Sequence, residues 1–184
     1  MEKKIAIIIN SLATGGAEKT VALLINELCG EFDIHLLMFN TTNIELSLPV
    51  SVKVFQIGKP SSADAGPAEA FRLPMKALQI KKYLAKNNIP LVFSFLNRPN
   101  FIAGYLKLFG YKGKTIINER SNTSYYFSTK TIGGRFGRFL VRRLYARADL
   151  VITNSSFGNT DLHATVDLNN NLLTLTNGNN IIYF

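Results

Sequence analysis

Short apolar runs alternate along the whole chain with longer stretches whose apolar side chains recur at helical spacing. Residues 4–10 are almost continuously apolar, which is typical of a parallel strand buried on both faces. Residues 17–29 carry apolar side chains at every third or fourth position, which predicts an amphipathic helix. The same patterns predict further strands at 34–39, 50–57, 91–96, 115–118, 150–153 and 172–175. They predict further helices at 70–86, 99–109 and 135–147, and a last helix that begins after Ser155 or Ser156.

This alternation predicts an α/β fold in which right-handed crossovers build a Rossmann-like, doubly wound, mostly parallel sheet. A length of 184 residues suits one domain that can bury its own core. The single cysteine, Cys29, cannot form an internal disulfide. No apolar run reaches the roughly 18 residues that a membrane-spanning helix needs. These features predict a soluble cytoplasmic domain.

The charge is strongly uneven along the chain. The net charge is +9, but residues 1–70 hold five basic and eight acidic residues, whereas residues 71–184 hold sixteen basic and four acidic ones. Two stretches, residues 72–86 and 130–147, contain basic residues and no acidic residue. Such surfaces attract nucleic acid, anionic lipid or phosphorylated substrates, although a solvated helix face is the alternative interpretation.

Ligands of doubly wound sheets bind beyond the carboxyl ends of the strands, so four loops are candidates for the site. These loops are residues 11–16, 97–100, 119–121 and 154–156. In the first, Gly15 and Gly16 precede a predicted helix, where bare backbone and free N–H groups can approach an anion. The loop matches neither the dinucleotide fingerprint nor the P-loop, and a plain strand-to-helix turn remains the alternative.

Several segments resemble the retaining GT-B glycosyltransferases of family 4, also called group 1 glycosyl transferases. The matching segments occur in the family's order at residues 10–18 (NSLATGGAE), 93–100 (FSFLNRPN), 116–122 (IINERSN), 148–155 (ADLVITNS) and 176–180 (TNGNN). Within that family the chain is most similar to the lipid-linked-oligosaccharide N-acetylgalactosamine transferases of Campylobacter-type protein glycosylation.

The resemblance implies the N-terminal lobe of a GT-B fold, which binds the acceptor while a C-terminal lobe holds the nucleotide-sugar. It implies an acceptor-binding domain at residues 1–175 and the start of the interdomain hinge at 176–184, without the donor domain. We therefore expect the full-length protein to transfer a hexosyl or N-acetylhexosaminyl group, with retention, from a UDP-linked nucleotide-sugar to a lipid-linked glycan. We expect this chain alone to be inactive. No cofactor is implied, and no histidine, cysteine or carboxylate has metal-ligand spacing.

The resemblance also assigns roles to individual residues. Gly15 and Gly16 match the loop that approaches the donor diphosphate, and Glu119 and Arg120 match the loop that faces the sugar. Many family members carry histidine where this chain has Arg120. Arginine stays protonated and cannot act as a base, so we expect Arg120 to stabilise the phosphate leaving group and Glu119 to position a hydroxyl. A surface ion pair between these two neighbours is the alternative.

The remaining predicted contacts concern the acceptor. They are assigned to Asn97, Arg98, Asn100 and Ser121. Pro99 also fits a helix start, with Asn97 as the capping residue, and this interpretation is equally compatible with the sequence.

The second basic helix and the aromatic loop before it fit a lipid interface. Aromatic rings sit at headgroup depth and cations attract anionic lipids, so we expect a peripheral protein on the inner face of the cell membrane. The predicted membrane-facing residues are Arg135, Arg138, Arg142 and Arg143, and the aromatic ones are Tyr125, Tyr126 and Phe127. No RNA-binding signature accompanies them, so no nucleic-acid partner is expected. The rival function is a stand-alone Rossmann-like module that binds an anionic ligand or membrane surface without catalysis.

Overall fold

A computed structural model describes residues 3–42, 44–59, 67–166 and 172–174. Of the predicted loop at 58–69, residues 60–66 lie outside the described part of the chain. The predicted hinge at 176–184 and its motif at 176–180 also lie outside the described residues.

Strands and helices alternate as the apolar pattern predicts. The strands are β1 Lys3–Ile9, β2 Phe32–Met38, β3 Lys53–Gln56, β4 Leu91–Phe95, β5 Lys114–Glu119, β6 Leu150–Thr153 and β7 Leu172–Thr174. The helices are α1 Gly16–Leu28, α2 Pro67–Asn87, α3 Asn97–Leu108, α4 Thr123–Tyr126, α5 Ile132–Tyr145 and α6 Ser156–His163. Helix α6 begins after Ser155, whose side chain accepts a hydrogen bond from the Gly158 N–H at 3.0 Å, as expected of an N-cap.

The seven strands form one sheet in the order β3-β2-β1-β4-β5-β6-β7, and every pairing is parallel. The predicted doubly wound α/β fold is confirmed, with a sheet that is parallel throughout. The chain winds outward in one direction from β1 to β3 and in the other from β4 to β7. The reversal therefore lies between β1 and β4, where doubly wound folds open a crevice at the carboxyl ends of the strands.

Two apolar clusters lie on opposite faces of the sheet. One joins α2, α3 and α5 to the sheet, and the other joins α1 to β1 and β2. Alternate residues of β4 face the two clusters. Val92 and Ser94 on one side are fully buried, whereas Leu91 and Phe93 on the opposite side are half-buried. Helices α2, α3 and α5 therefore cover one face of the strands that lead into the candidate site.

Three local features add to the predicted pattern. Leu78 of α2 is exposed, because Leu73, Ala77, Ile80 and Leu84 fill the inner stripe of the helix. Pro74 lies inside α2, since the helix begins seven residues earlier at Pro67. The stretch expected to be only loop after β5 contains the one-turn helix α4.

Among the described residues, no helix is both long enough and apolar enough to cross a lipid bilayer.

Candidate functional site

The loops that follow β1, β4 and β5 lie at the carboxyl edge of the sheet and contain residues predicted to bind ligands. Strands β1, β4 and β5 are adjacent in the sheet, and each ends at this edge. Asn10 follows β1, Asn97 lies two residues beyond the end of β4, and Arg120 follows β5. The parallel topology thus brings three sequence-distant loops together around the reversal between β1 and β4.

The end of β5 is held by a buried carboxylate. Glu119 is only 3% exposed. Its Oε1 accepts hydrogen bonds from the Ser121 backbone N–H at 2.9 Å and from the Ser121 hydroxyl at 2.6 Å. Its Oε2 accepts a hydrogen bond from the Tyr145 hydroxyl, also at 2.6 Å. The carboxylate therefore closes the turn around Arg120 and ties it to the end of α5.

The hydrogen bonding continues inward from Tyr145. The Asn100 Nδ2 group donates to the Tyr145 hydroxyl at 3.2 Å and to the Asn118 carbonyl at 3.0 Å. The Ser94 hydroxyl donates to Asn100 Oδ1 at 2.9 Å. Asn100 is fully buried, so in this arrangement its amide joins β4, β5 and α5 and presents no surface. The acceptor contacts expected of Asn100 and Ser121 stay predictions.

Burial sets the electrostatics of this network. Burial raises the pKa of Glu119, and the hydrogen bonds from Ser121 and Tyr145 oppose that rise. Burial and the neighbouring charge of Glu119 raise the pKa of Tyr145 well above its usual value. Tyr145 therefore keeps its proton and remains a donor to the carboxylate. The hydrogen bonds of Glu119 thus hold the turn that contains Arg120, and the catalytic roles expected of both residues stay predictions.

Arg120 and the glycine loop after β1 lie within electrostatic range of each other. Burial lowers the pKa of the half-buried Arg120, and the negative charge of Glu18 opposes this effect. Glu18 is in the first turn of α1, and its carboxylate covers Gly15 so closely that a Cβ there would overlap it. A Cβ at Gly16 would meet no described atom within 4 Å. The structure thus puts Arg120 within electrostatic range of Glu18, which lies against Gly15 in the glycine loop.

The end of β1 also carries a side chain that the sequence analysis did not single out. Asn10 is 9% exposed, and its Oδ1 has no hydrogen-bond partner among the described residues. A buried amide oxygen without a partner is costly, so it marks a place where a donor is missing. Its position directly after a buried strand is the signal that could have identified it.

The end of β4 is conformationally unusual. Leu96 has φ +74° and ψ 159°, a combination that costs a non-glycine residue roughly 1–3 kcal/mol. Leu96 is the N-cap of α3 and Asn97 is the first helical residue, so the interpretation of Asn97 as the cap is wrong. Asn97 Oδ1 is buried without a hydrogen-bond partner among the described residues. The Arg98 guanidinium lies over the Phe39 ring, 4.3 Å from its centre.

The four arginines assigned to the membrane fall into two groups on α5. Arg135, Arg138 and Arg142 donate their Nε–H groups to backbone carbonyls at 2.8, 2.7 and 2.9 Å. Arg143 instead lies over the Phe139 ring at 5.7 Å. Their contact with a membrane stays a prediction. Of the loop aromatics, Tyr125 and Tyr126 are exposed, whereas Phe127 packs against the core.

Exposed aromatic residues connect α2 and α5. Phe71 stacks on Phe136 with ring centres 6.0 Å apart, and Phe136 stacks on Phe139 at 6.5 Å. All three rings are at least 40% exposed. With the exposed residues Met75 and Ile132 they form what we call the aromatic surface: Phe71, Met75, Ile132, Phe136 and Phe139.

Comparison with known proteins gives three kinds of match. The family model for Glycosyltransferase Family 4 matches residues 14–178. The chain is 36% identical over 162 residues to the N-acetylgalactosamine-N,N'-diacetylbacillosaminyl-diphospho-undecaprenol 4-alpha-N-acetylgalactosaminyltransferase of Campylobacter jejuni, covering 87% of this chain and 43% of that protein. A second protein of that organism, named as a GalNAc-alpha-(1->4)-GalNAc-alpha-(1->3)-diNAcBac-PP-undecaprenol alpha-1,4-N-acetyl-D-galactosaminyltransferase, is 30% identical over 146 residues, which is 79% of this chain and 38% of that protein.

Among solved structures, the sucrose-phosphate synthase of Thermosynechococcus elongatus superposes with a TM-score of 0.72 at 15% identity. The match covers 97% of this chain and 49% of that one, and it shows a shared fold. The chain spans less than half the length of the two curated relatives it matches.

Proposed function

The chain belongs to glycosyltransferase family 4, as its motifs predict, and we propose that it forms the acceptor-side domain of a sugar-transferring enzyme. In this proposal the full-length protein moves a hexosyl or N-acetylhexosaminyl group from a UDP-linked nucleotide-sugar to a lipid-linked glycan, with retention of configuration. A relative at 36% identity is named for transfer of N-acetylgalactosamine to a diphospho-undecaprenol-linked sugar, which supports this class of acceptor.

The observation that carries the proposal is that Arg120 lies within electrostatic range of Glu18, whose carboxylate lies against Gly15. Sugar transfer from a nucleotide-sugar releases a diphosphate, so the site needs positive charge where that charge develops. Arg120 keeps its proton although burial lowers its pKa, and its planar guanidinium can grip two phosphate oxygens. Gly15 and Gly16 bring the N-terminus of α1, with its free N–H groups, to the same place.

Each group has a definite task in the reaction. As the bond between the sugar C1 and the phosphate oxygen breaks, a bond forms between C1 and the acceptor oxygen. The leaving phosphate accepts the acceptor's proton, so no protein base is needed. Arg120 stabilises the departing charge, and Glu119 holds the turn that carries Arg120 through its bonds to Ser121 and Tyr145. Asn97 and Arg98, at the end of β4, are placed to meet the acceptor.

The acceptor lipid would be reached at a membrane surface. The aromatic surface exposes apolar side chains of α2 and α5, and α5 also carries several arginines. Large exposed apolar patches with cationic neighbours are typical of proteins that bind anionic bilayers. We therefore place the protein on the cytoplasmic face of the membrane, bound peripherally through this surface.

Arg120→Gln in the full-length enzyme tests the proposal. We expect kcat to fall on the order of 100-fold or more, because one charged donor to the leaving group is lost, while the melting temperature stays near that of the wild type. Arg147→Gln, which removes an exposed arginine at the end of α5, serves as the matched control and should leave kcat unchanged. Equal rates for Arg120→Gln and wild type would overturn the assignment of Arg120.

A further inference from the structure

One flank of α5 carries a cavity lined by three arginines. Arg135, Arg138 and Arg142 are spaced by three and four residues, so they share one face of the helix. Together with Thr129 and Phe139 they line a cavity of about 200 Å³. The cavity lies beside the aromatic surface and is built from other elements than the Gly15–Gly16 and Arg120 loops.

The three guanidinium groups are fixed in place by the backbone. The Nε–H group of Arg135 donates to the Thr129 carbonyl, that of Arg138 to the Phe127 carbonyl and that of Arg142 to the Thr165 carbonyl. Each bond uses the inner nitrogen of the guanidinium and leaves the outer N–H groups of Arg135 and Arg142 for other acceptors. Arg138 also donates one outer N–H group to the Ser124 carbonyl at 3.3 Å. Side chains held in this way lose little entropy when they bind a ligand.

In the part of the chain that the structure describes, no acidic side chain forms an ion pair with the arginines of the cavity. The sequence from residue 120 to residue 148 contains no acidic residue. The acid that approaches from α6 is Asp161, whose Oδ2 accepts a hydrogen bond from the Ser124 N–H at 2.9 Å. Like charges three and four residues apart on a helix repel each other, so an anion in the cavity would remove an unfavourable interaction.

We propose that this cavity is a phosphate-binding site. Arginine binds phosphate oxygens through paired N–H donors, and Thr129, which also lines the cavity, carries a hydroxyl that can donate. The phosphate group can belong to a lipid headgroup or to a soluble ligand, and the experiment below distinguishes these two sources. The site goes beyond sugar transfer, since it uses neither Arg120 nor the glycine loop.

The test compares two probes on the purified protein without any sugar donor. The first probe is inorganic pyrophosphate, measured by calorimetry against sodium chloride of the same ionic strength. The second is sedimentation with vesicles of phosphatidylcholine that contain phosphatidylglycerol, against vesicles of phosphatidylcholine alone. Saturable binding of pyrophosphate assigns a soluble phosphate ligand, whereas binding only to the anionic vesicles assigns a lipid headgroup.

The deciding variant is Arg142→Lys, which keeps the charge but loses the planar pair of donors that its outer N–H groups supply. We expect it to weaken binding of the responding probe roughly tenfold, because a lysine cannot form the bidentate contact. Arg147→Lys, an exposed position outside the cavity, should change binding less than about twofold. Circular dichroism checks that both variants fold. Equal binding by the wild type and both variants would overturn the site, since simple attraction between charges would then explain the result.

Discussion

The loops after β5 and β1 meet at the same edge of the sheet, but the protein supports them in opposite ways. After β5, both carboxylate oxygens of Glu119 are hydrogen-bonded, and Glu119 and its partner Tyr145 are buried. After β1, Asn10 Oδ1 has no hydrogen-bond partner among the described residues and Gly16 opens onto free space. The protein thus fixes the loop that carries the positive charge and leaves bare backbone in the loop that would meet the diphosphate.

The same contrast appears in the glycines of the two regions. Gly104 of α3 lies against α5, and a Cβ there would overlap the Leu144 side chain and approach the Leu144 carbonyl oxygen to 2.7 Å. Gly104 therefore allows α5 to pack close to α3 at Leu144, the residue before Tyr145. Gly16 has no such neighbour. Glycine serves helix packing in the first region and access in the second.

Gly104→Ala should have the largest effect on stability. The added methyl group meets backbone that cannot move without shifting α5, so we expect the free energy of unfolding to fall by about 1–3 kcal/mol. Urea denaturation followed by circular dichroism measures this change. Gly133→Ala on α5, where a Cβ would meet no described atom within 4 Å, is the matched control and should be neutral or slightly stabilising. Equal stability of the two variants would contradict the close packing of α3 on α5.

Tyr145→Phe should have a smaller effect that depends on pH. Removing the hydroxyl deprives the buried Glu119 carboxylate of one donor, which we expect to cost about 1–2 kcal/mol at pH values where Glu119 is ionised. Because the Tyr145 hydrogen bond lowers the pKa of Glu119, the variant should raise that pKa further. The destabilisation should therefore be largest at pH values above the pKa of Glu119. It should shrink as pH falls below that pKa, since a protonated carboxyl has less need of the donor.

Denaturant unfolding across pH and a carbon-13 titration of the Glu119 carboxyl check these expectations. Tyr105→Phe removes the hydroxyl of a half-buried tyrosine for which no hydrogen bond is found in the described part of the chain, and it serves as the control. A titration of Glu119 that is unchanged in Tyr145→Phe would show that the hydroxyl does not act on the carboxylate.

The sequence predicted the parts of this molecule that depend on local pattern. Buried strands read as continuous apolar runs, and topology then places the residues after β1, β4 and β5 at one edge, so Arg120 and the glycine loop could be identified as neighbours. The contact of Tyr145 with Glu119 spans 26 residues and depends on how α5 packs, so Tyr145 reads as one more apolar residue of a helix. The hydrogen bonds of Asn100 to Asn118 and Tyr145 depend on packing in the same way, so the sequence did not predict them. The bond between Ser121 and Glu119 is local, but no motif in the sequence pointed to it. The left-handed conformation of Leu96 has no local signal at all, because leucine is not a residue that favours it.

Gly16→Val should have the smallest effect on stability and a clear effect on function. The new side chain would point into open space, so we expect the free energy of unfolding to change by less than about 0.5 kcal/mol. If the donor diphosphate approaches this backbone, the isopropyl group obstructs it, and the KM for the nucleotide-sugar should rise about tenfold or more in the full-length enzyme. Gly30→Val is the matched control, since Gly30 lies just beyond the opposite end of α1 and its Cβ would also meet no described atom within 4 Å. Similar kinetics for both variants would remove the glycine loop from the site and leave the fixed loop after β5 as its remaining support.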